Sequence, residues 1–282
     1  MKFKKTITIL VVFVLLIMFA RLFSQYASSY LDSTFVRNGE KIVGTDEYVL
    51  EKGDTAVILI HGIGGNPYSM KEIANYIYGN DLSVYAILLP GHGTSVFDLE
   101  KTTWKDWQDA VEKSYQEVSK KHKKVYVLGY SLGSLLTLDL ASRHDLDGII
   151  IINAPIKLIS GFTDILPLVY LVEKYHIRGF ISFDELPLAT ELKLYQSLPI
   201  KSVFQLVEFI DIVGSELSKV NEKILIIQSI KDDVVDPEAA VFIINNIESK
   251  DKDILWLTNS THIGLDKKDK DIMKARVARF LK

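Results

Sequence analysis

The stretch "KKVYVLGYSLGSLLTLDLASRH", Lys123 to His144, decides the fold. It opens with an apolar run, Val125 to Leu128, that stops at Gly129. Ser131 then stands between Gly129 and Gly133, and an apolar run of helical character follows. A strand that becomes a helix across two glycines, with one hydroxyl between them, is an arrangement that needs a physical reason.

Gly129-Tyr130-Ser131-Leu132-Gly133 fits G-x-S-x-G, which at a strand-to-helix turn forms a nucleophile elbow. The turn is tight and strained, and it lifts the hydroxyl above the sheet edge. Side chains at the two glycine positions would collide with the neighbouring strand and helix. The helix that starts after Ser131 points its free N–H groups and positive end at the same spot. The bare pentapeptide would also suit a glycine-rich turn with a capping serine. Its place between a buried strand and a helix favours the elbow.

Working outward, apolar and amphipathic runs alternate. Strands are expected at 55–61, 83–89, 124–129, 148–153, 223–229 and 253–258. All are continuous apolar runs, as in strands buried on both faces. Helices are expected at 67–78, 104–121, 132–143, 237–247 and 269–281. Asn66-Pro67 and Asp236-Pro237 each set a capping side chain before a proline at a helix start. This alternation predicts an α/β fold, a mostly parallel sheet with helices on both faces. Residues 156 to about 222 break the rhythm, being apolar, helical in pattern and too long for a simple crossover. They are read as an inserted helical cap.

A hydroxyl needs a base to become a nucleophile. Past the strand at 223–229 comes "SIKDDVVDP", with Asp232 at the loop tip, and past the strand at 253–258 comes "NSTHIGLD", with His262. Parallel sheets place their sites at the C-terminal ends of strands. Three loops at one edge therefore offer Ser131, Asp232 and His262, in the chain order serine, acid, histidine. His262 alone would pass for a surface histidine, and Asp232 alone for a solvated loop charge. "LIHGIGGNP" adds a glycine-rich loop after the first strong strand. The N–H groups of Ile63 and Leu132 are the expected oxyanion donors. His61 is expected to order that loop by hydrogen bonding, and His92, in "LLPGHGTS", to lie in a turn beside the site. His122, His144 and His176 are assigned no role.

Together "HGIGGNPYSM", "LLPGHGTS", "GYSLG", "KDDVVDP" and "STHIGLD" resemble the α/β-hydrolase superfamily, most closely its bacterial carboxylesterase and monoacylglycerol-lipase-like branch. The resemblance spans about residues 46–282, the cap being similar only in size and placement. It implies an ester hydrolase with Ser131 as nucleophile, His262 as general base, Asp232 as its orienter, and Ile63 and Leu132 as oxyanion donors. The family acid stands five residues before the proline of D-x-V-x-x-P, which picks Asp232 over Asp233. Two positions depart from the pattern. Thr261 precedes the histidine where glycine is common, and Ser134 replaces a glycine after the elbow. Thioester, peptide or carbon–carbon hydrolysis, or acyl transfer, would suit the same fold, and a catalytically inactive binding protein is the reading of another class.

The chain has 282 residues, a net charge of −3 and no cysteine. Its size fits one large domain, or one with an insertion. Near-neutral charge gives no reason to expect nucleic acid. Without cysteine there is neither a disulfide nor a thiolate metal site. No metal or redox cofactor is implied; the expected partners are an ester substrate and a membrane. The N-terminus, "MKFKKTITILVVFVLLIMFARLFSQ", sets three lysines before a run from Ile7 to Ala20 that is apolar except for Thr8. It has no polar face, as a buried helix of a soluble domain would have. Residues 1–25 are read as a membrane anchor or signal segment and 26–45 as a polar linker. An anchor is preferred, because small residues suited to cleavage are missing just after the run. Cleavage after Ser29 is the alternative and would give a secreted protein. The lysines orient the rest of the chain outside the cell.

Overall fold

The computed structural model describes residues 2–159, 161–177 and 186–282. Part of the expected cap, residue 160 and residues 178–185, lies outside them. The chain opens with helix α1 (Lys2–Ser33), a hairpin of β1 (Arg37–Asn38) and β2 (Lys41–Ile42), and strand β3 (Tyr48–Leu50). Then follow β4 (Thr55–Ile60), α2 (Lys71–Tyr78), β5 (Ser83–Ile87), α3 (Val96–Leu99) and α4 (Trp104–Val118). The centre is β6 (Lys124–Tyr130), α5 (Leu132–Ala141) and β7 (Gly148–Ile152). An insertion carries α6 (Phe162–Val172), β8 (Tyr175–Ile177), α7 (Leu186–Glu191), β9 (Ser197–Pro199) and α8 (Ile200–Glu216). The chain closes with β10 (Ile224–Ser229), α9 (Glu238–Asn246), β11 (Lys252–Leu257) and α10 (Lys267–Phe280).

Among the described residues the central sheet has seven strands in the order β11-β10-β7-β6-β4-β5-β3. Every pairing is parallel except β3 with β5. The apolar runs alternate between the two sheet faces, as the period of two requires. Ile58, Val127, Ile149 and Ile226 pack with Leu135, Leu138, Phe209 and Ile243, from α5, α8 and α9. Val57, Leu128, Ile150 and Leu225 face the other way, onto Ile73 and Ile77 of α2 and Met273 and Val277 of α10. Burial on both faces is what makes β4, β5, β6, β7 and β10 read as continuous apolar runs. It also leaves β6 in mid-sheet, so Ser131 rises from the most enclosed part of the edge.

The N-terminal segment differs from its reading as a helix followed by a polar linker. Helix α1 continues through residues 24–33, and the hairpin takes up 37–42. Polar composition concealed this, because the helix there is stabilised by contacts with distant residues. Ser24 Oγ accepts from Lys174 N–H at 3.1 Å, and Arg21 donates to Tyr170 O. Asp32 accepts from Val96 N–H at 3.1 Å and from Arg37 at 2.7 Å. Ser24 and Ser28, one turn apart, are both buried.

Candidate active site

Ser131 joins β6 to α5 with φ 53° and ψ −118°, a conformation in the left-handed half of φ that few non-glycine residues adopt. The close packing around it explains its glycine neighbours. A Cβ on Gly129 would lie 2.1 Å from Gly133 O, and one on Gly133 would lie 2.0 Å from Ile60 O. The Ser131 N–H donates to Ile152 O at 2.9 Å, so β7 holds the turn from the far side.

The three loops converge. His262 Nε2 lies 3.1 Å from Ser131 Oγ. On the other side of the ring, Nδ1 lies 2.8 Å from Asp232 Oδ2 and 3.0 Å from Oδ1. Asp232 Oδ1 also accepts from the Val234 and Val235 N–H groups at 2.9 and 2.7 Å. That turn fixes the carboxylate, and it gives the pairing to Asp232 while Asp233 lines the cavity rim. All three side chains are buried, so their mutual hydrogen bonds face little competition from water.

The glycine-rich loop lies against this group. A Cβ on Gly62 would meet Ser131 Cβ at 3.1 Å. Ile63 follows in the cavity wall, and Leu132 is the fully buried first residue of α5, where helix N–H groups lack intrahelical partners. Two histidines shape the loop. His61 Nε2 accepts from Leu89 N–H at 3.2 Å, while Nδ1 faces Gly62 O at 2.9 Å. Burial pushes its pKa down to about 4, with the Gly62 carbonyl opposing the shift, so the ring is neutral at pH 7. His92 Nε2 accepts from Gly64 N–H at 2.9 Å. Both histidines therefore build the loop, as expected for His61 and more intimately than expected for His92. The insertion holds it too: Tyr195 N–H donates to Gly64 O at 2.8 Å, and Asn66 donates to Leu192 O and Lys193 O at 3.2 and 2.8 Å.

A cavity of about 810 Å³ opens from Ser131 and His262 beneath the insertion. Its walls include Leu158, Leu166, Val169, Leu198, Val203 and Leu206. Charged side chains of Glu72, Lys270 and Lys274 also border it, paired with one another at 3.1 and 2.6 Å. Among the described residues no cluster suited to a metal ion is found.

A family model described as "Serine aminopeptidase, S33" matches residues 51–178. A thermostable monoacylglycerol lipase of Bacillus sp. (strain H-257) is 30% identical over 250 residues, covering 84% of this chain and 94% of that protein. A carboxylesterase of Bacillus subtilis (strain 168) is 24% identical, covering 86% and 98%. A solved structure from work on LipS and LipT, two metagenome-derived lipolytic enzymes, superposes with a TM-score of 0.76 at 27% identity, covering 85% of this chain and 98% of that one. The chain belongs to the α/β-hydrolase superfamily. Within it, this hydrolase falls in the carboxylesterase and monoacylglycerol-lipase-like branch.

The sequence reading of this α/β-hydrolase missed several supports of the site. Tyr130 OH donates to His262 O, and Asn153 Nδ2 donates to the same carbonyl at 3.2 Å. Asn153 has φ 49° and also accepts from Ser229 N–H at 2.8 Å, joining β7, β10 and the histidine loop. Its signal was an asparagine ending an otherwise apolar strand, a residue type that tolerates positive φ. Asp269, in the first turn of α10, accepts from Asn259 N–H and Ser260 Oγ at 2.7 and 2.8 Å. Burial alone would raise its pKa; these hydrogen bonds outweigh that and hold it below the usual carboxylate range. The two departures from the family pattern have local uses. Ser134 Oγ accepts from Ile152 N–H at 3.0 Å and lies 2.9 Å from Gly129 O and Ile152 O, a buried bridge between β6 and β7. Thr261 Oγ1 accepts from Gly264 N–H at 3.1 Å and closes the turn that carries His262.

Proposed function

We propose that this ester hydrolase cleaves carboxylic esters with an apolar acyl chain through an acyl-enzyme on Ser131. The observation that carries the reading is the hydrogen-bonded chain Ser131–His262–Asp232 at the floor of a mainly apolar cavity. In the reaction, His262 Nε2 takes the Ser131 proton as Oγ attacks the ester carbonyl carbon. The carbonyl π electrons move to oxygen, and the N–H groups of Ile63 and Leu132 stabilise that charge. Collapse expels the alcohol, which takes the proton from His262. Water then enters, gives a proton to the same nitrogen and attacks the acyl carbon, and the carboxylic acid leaves as Ser131 Oγ recovers its proton. Asp232 accepts from Nδ1–H throughout, holding the tautomer and stabilising the imidazolium. A volume of about 810 Å³ is within the range of small-molecule sites and suits a long acyl chain. The lipase and carboxylesterase relatives support the same substrate class.

Helix α1 is read as a retained membrane tether with the catalytic domain outside the cell. Thr6–Ser33 has a mean hydropathy of 2.6 over its most apolar window, which suits a tether and a signal sequence equally. The contacts of Arg21 and Ser24 with the insertion support retention, since cleavage after Ser29 would discard them.

A fluorophosphonate probe and a series of esters of graded chain length test the assignment. The expected outcome is a covalent label on Ser131 and a specificity constant that rises with acyl length. An unlabelled Ser131, or cleavage of aminoacyl amides in preference to every ester, would overturn it.

A further inference from the structure

The cavity is not apolar throughout. Beneath the insertion its walls are aliphatic, but between α2 and α10 it is bordered by Lys71, Glu72 and Asn75 of α2 and by Lys270 and Lys274 of α10. Among the described residues the other carboxylates on the lining are Glu191, from the insertion, and Asp233, from the acid loop.

Lys270 and Lys274 stand four residues apart and so share a face of α10. Both reach Glu72. Lys274 Nζ lies 2.6 Å from Oε1, and Lys270 Nζ lies 3.1 Å from Oε2. The Lys274 hydrogen bond is the main cause that holds the Glu72 carboxyl below its ordinary range, with burial opposing it, so Glu72 is ionised at pH 7. Two ammonium groups therefore share one carboxylate, and a unit of positive charge is left over. An ammonium has three donors; each of these gives one to Glu72 and keeps two for another acceptor. Their side chains are only 34% and 21% exposed, so the stems are packed and the charged ends are held in place. A tie between α2 and α10 would need one lysine, and ion pairs of this kind contribute at most about 1 kcal/mol. Lys71 adds a third cation, 5.8 Å from the ring centre of Tyr68, which also lines the cavity.

The two kinds of wall orient a substrate. An apolar acyl chain belongs against the insertion. With the ester carbonyl at Ser131, the alcohol half is left for the α2–α10 end.

We propose that the α2–α10 end of the cavity binds an oxyanion carried on the alcohol half of the ester, a phosphate or a carboxylate, with Lys270 and Lys274 as its specificity-determining residues. Lysine meets such a group as a point charge with rotatable donors. Glu72 positions the two ammonium groups and, at one carboxylate for two cations, does not cancel them. The proposal rests on the ester-hydrolase reading above.

Octanoyl esters of glycerol, glycerol 3-phosphate and glycerate present one acyl chain with a neutral, a phosphate-bearing and a carboxylate-bearing alcohol. With the full-length protein in a neutral detergent, kcat/KM should be at least about tenfold higher for one or both anionic esters than for the neutral one. The better of the two identifies the oxyanion. In Lys270→Gln/Lys274→Gln the ratio of anionic to neutral kcat/KM should fall at least about tenfold, through KM. Lys270→Arg/Lys274→Arg, which keeps the charge, should retain most of that ratio. A purely structural role would lower all three esters alike. If phosphate is preferred, free glycerol 3-phosphate should inhibit cleavage of the neutral ester competitively, and glycerol should not. Cleavage of the neutral ester at least as fast as of both anionic ones, or an unchanged ratio in the Gln variant, overturns the proposal and spares the ester-hydrolase reading. Failure to cleave any of the three, or a p-nitrophenyl octanoate control, overturns both.

Discussion

At Ser131 a single side chain combines backbone strain, burial and a hydrogen bond to His262. Removing it has a defined consequence. Ser131→Ala and His262→Ala should each lower kcat by about 10⁶-fold, the scale known for a serine–histidine pair on an unrelated fold, with the circular dichroism spectrum unchanged. Substantial turnover by a clean Ser131→Ala preparation would remove the assignment. Asp232→Asn should be far more damaging than Asp233→Asn, since Asp232 meets His262 Nδ1 and two backbone N–H groups. The reverse ranking in steady-state kinetics would shift the role by one residue. His61 gives a prediction about pH. Its pKa is about 4 in the folded protein against an ordinary 6.5, so the unfolded chain binds the extra proton first. Its contribution is complete above pH 6.5 and is lost as pH falls toward 4, by up to about 3 kcal/mol. Urea midpoints should therefore drop across that window. A two-dimensional NMR titration that finds the His61 ring charged at pH 6 would exclude this origin. At this scale the sequence was informative where chain order and strand ends coincide. It said nothing of Asn153, Tyr130 or Asp269, whose importance lies in which carbonyls and amides they reach across the sheet.

Among the elements, the β6–α5 turn has the least room. Gly133→Ala would force a Cβ to within 2.0 Å of Ile60 O on a fully buried strand, and backbone in a close-packed interior cannot yield that much. Both Gly133→Ala and Gly129→Ala should fail to give soluble, cooperatively unfolding protein. A folded Gly133→Ala domain with ordinary thermal stability would mean that β4 sits farther from α5 than it does here. The five inner strands were legible because burial on both faces leaves few polar positions to obscure them, and the edge strand β11 because of its run Ile254 to Leu257. Strand β3 was not: three residues, Tyr48 to Leu50, pair antiparallel at the sheet edge, an apolar run too short between Glu47 and Glu51 to stand out. The second half of α1 was equally hidden, since Ser24 and Ser28 suit a linker in composition and a helix only by their spacing of four.

For the molecule as a whole, α1 joins two parts that differ in solvent preference. Deleting residues 1–19 removes most of the exposed apolar run and keeps Arg21, Ser24 and Asp32. That protein should be soluble, monodisperse and as thermally stable as the parent in detergent. Deleting residues 1–33 also removes the contacts with Tyr170, Lys174 and Val96 and should lower Tm by several degrees at unchanged sheet content. Equal melting temperatures for the two deletions would show that these contacts contribute nothing measurable. The ties between the insertion and the Gly62–Gly65 loop have a further consequence. Tyr195 N–H to Gly64 O and Asn66 to the carbonyls of 192 and 193 fasten one margin of the insertion directly to the segment bearing Ile63. The α6 end of the insertion is fastened as well, to α1 through Arg21 and Ser24, so the insertion is held at both margins. The segment bearing Ile63 is thus braced by the roof over the cavity, so a change in the roof is felt at the floor.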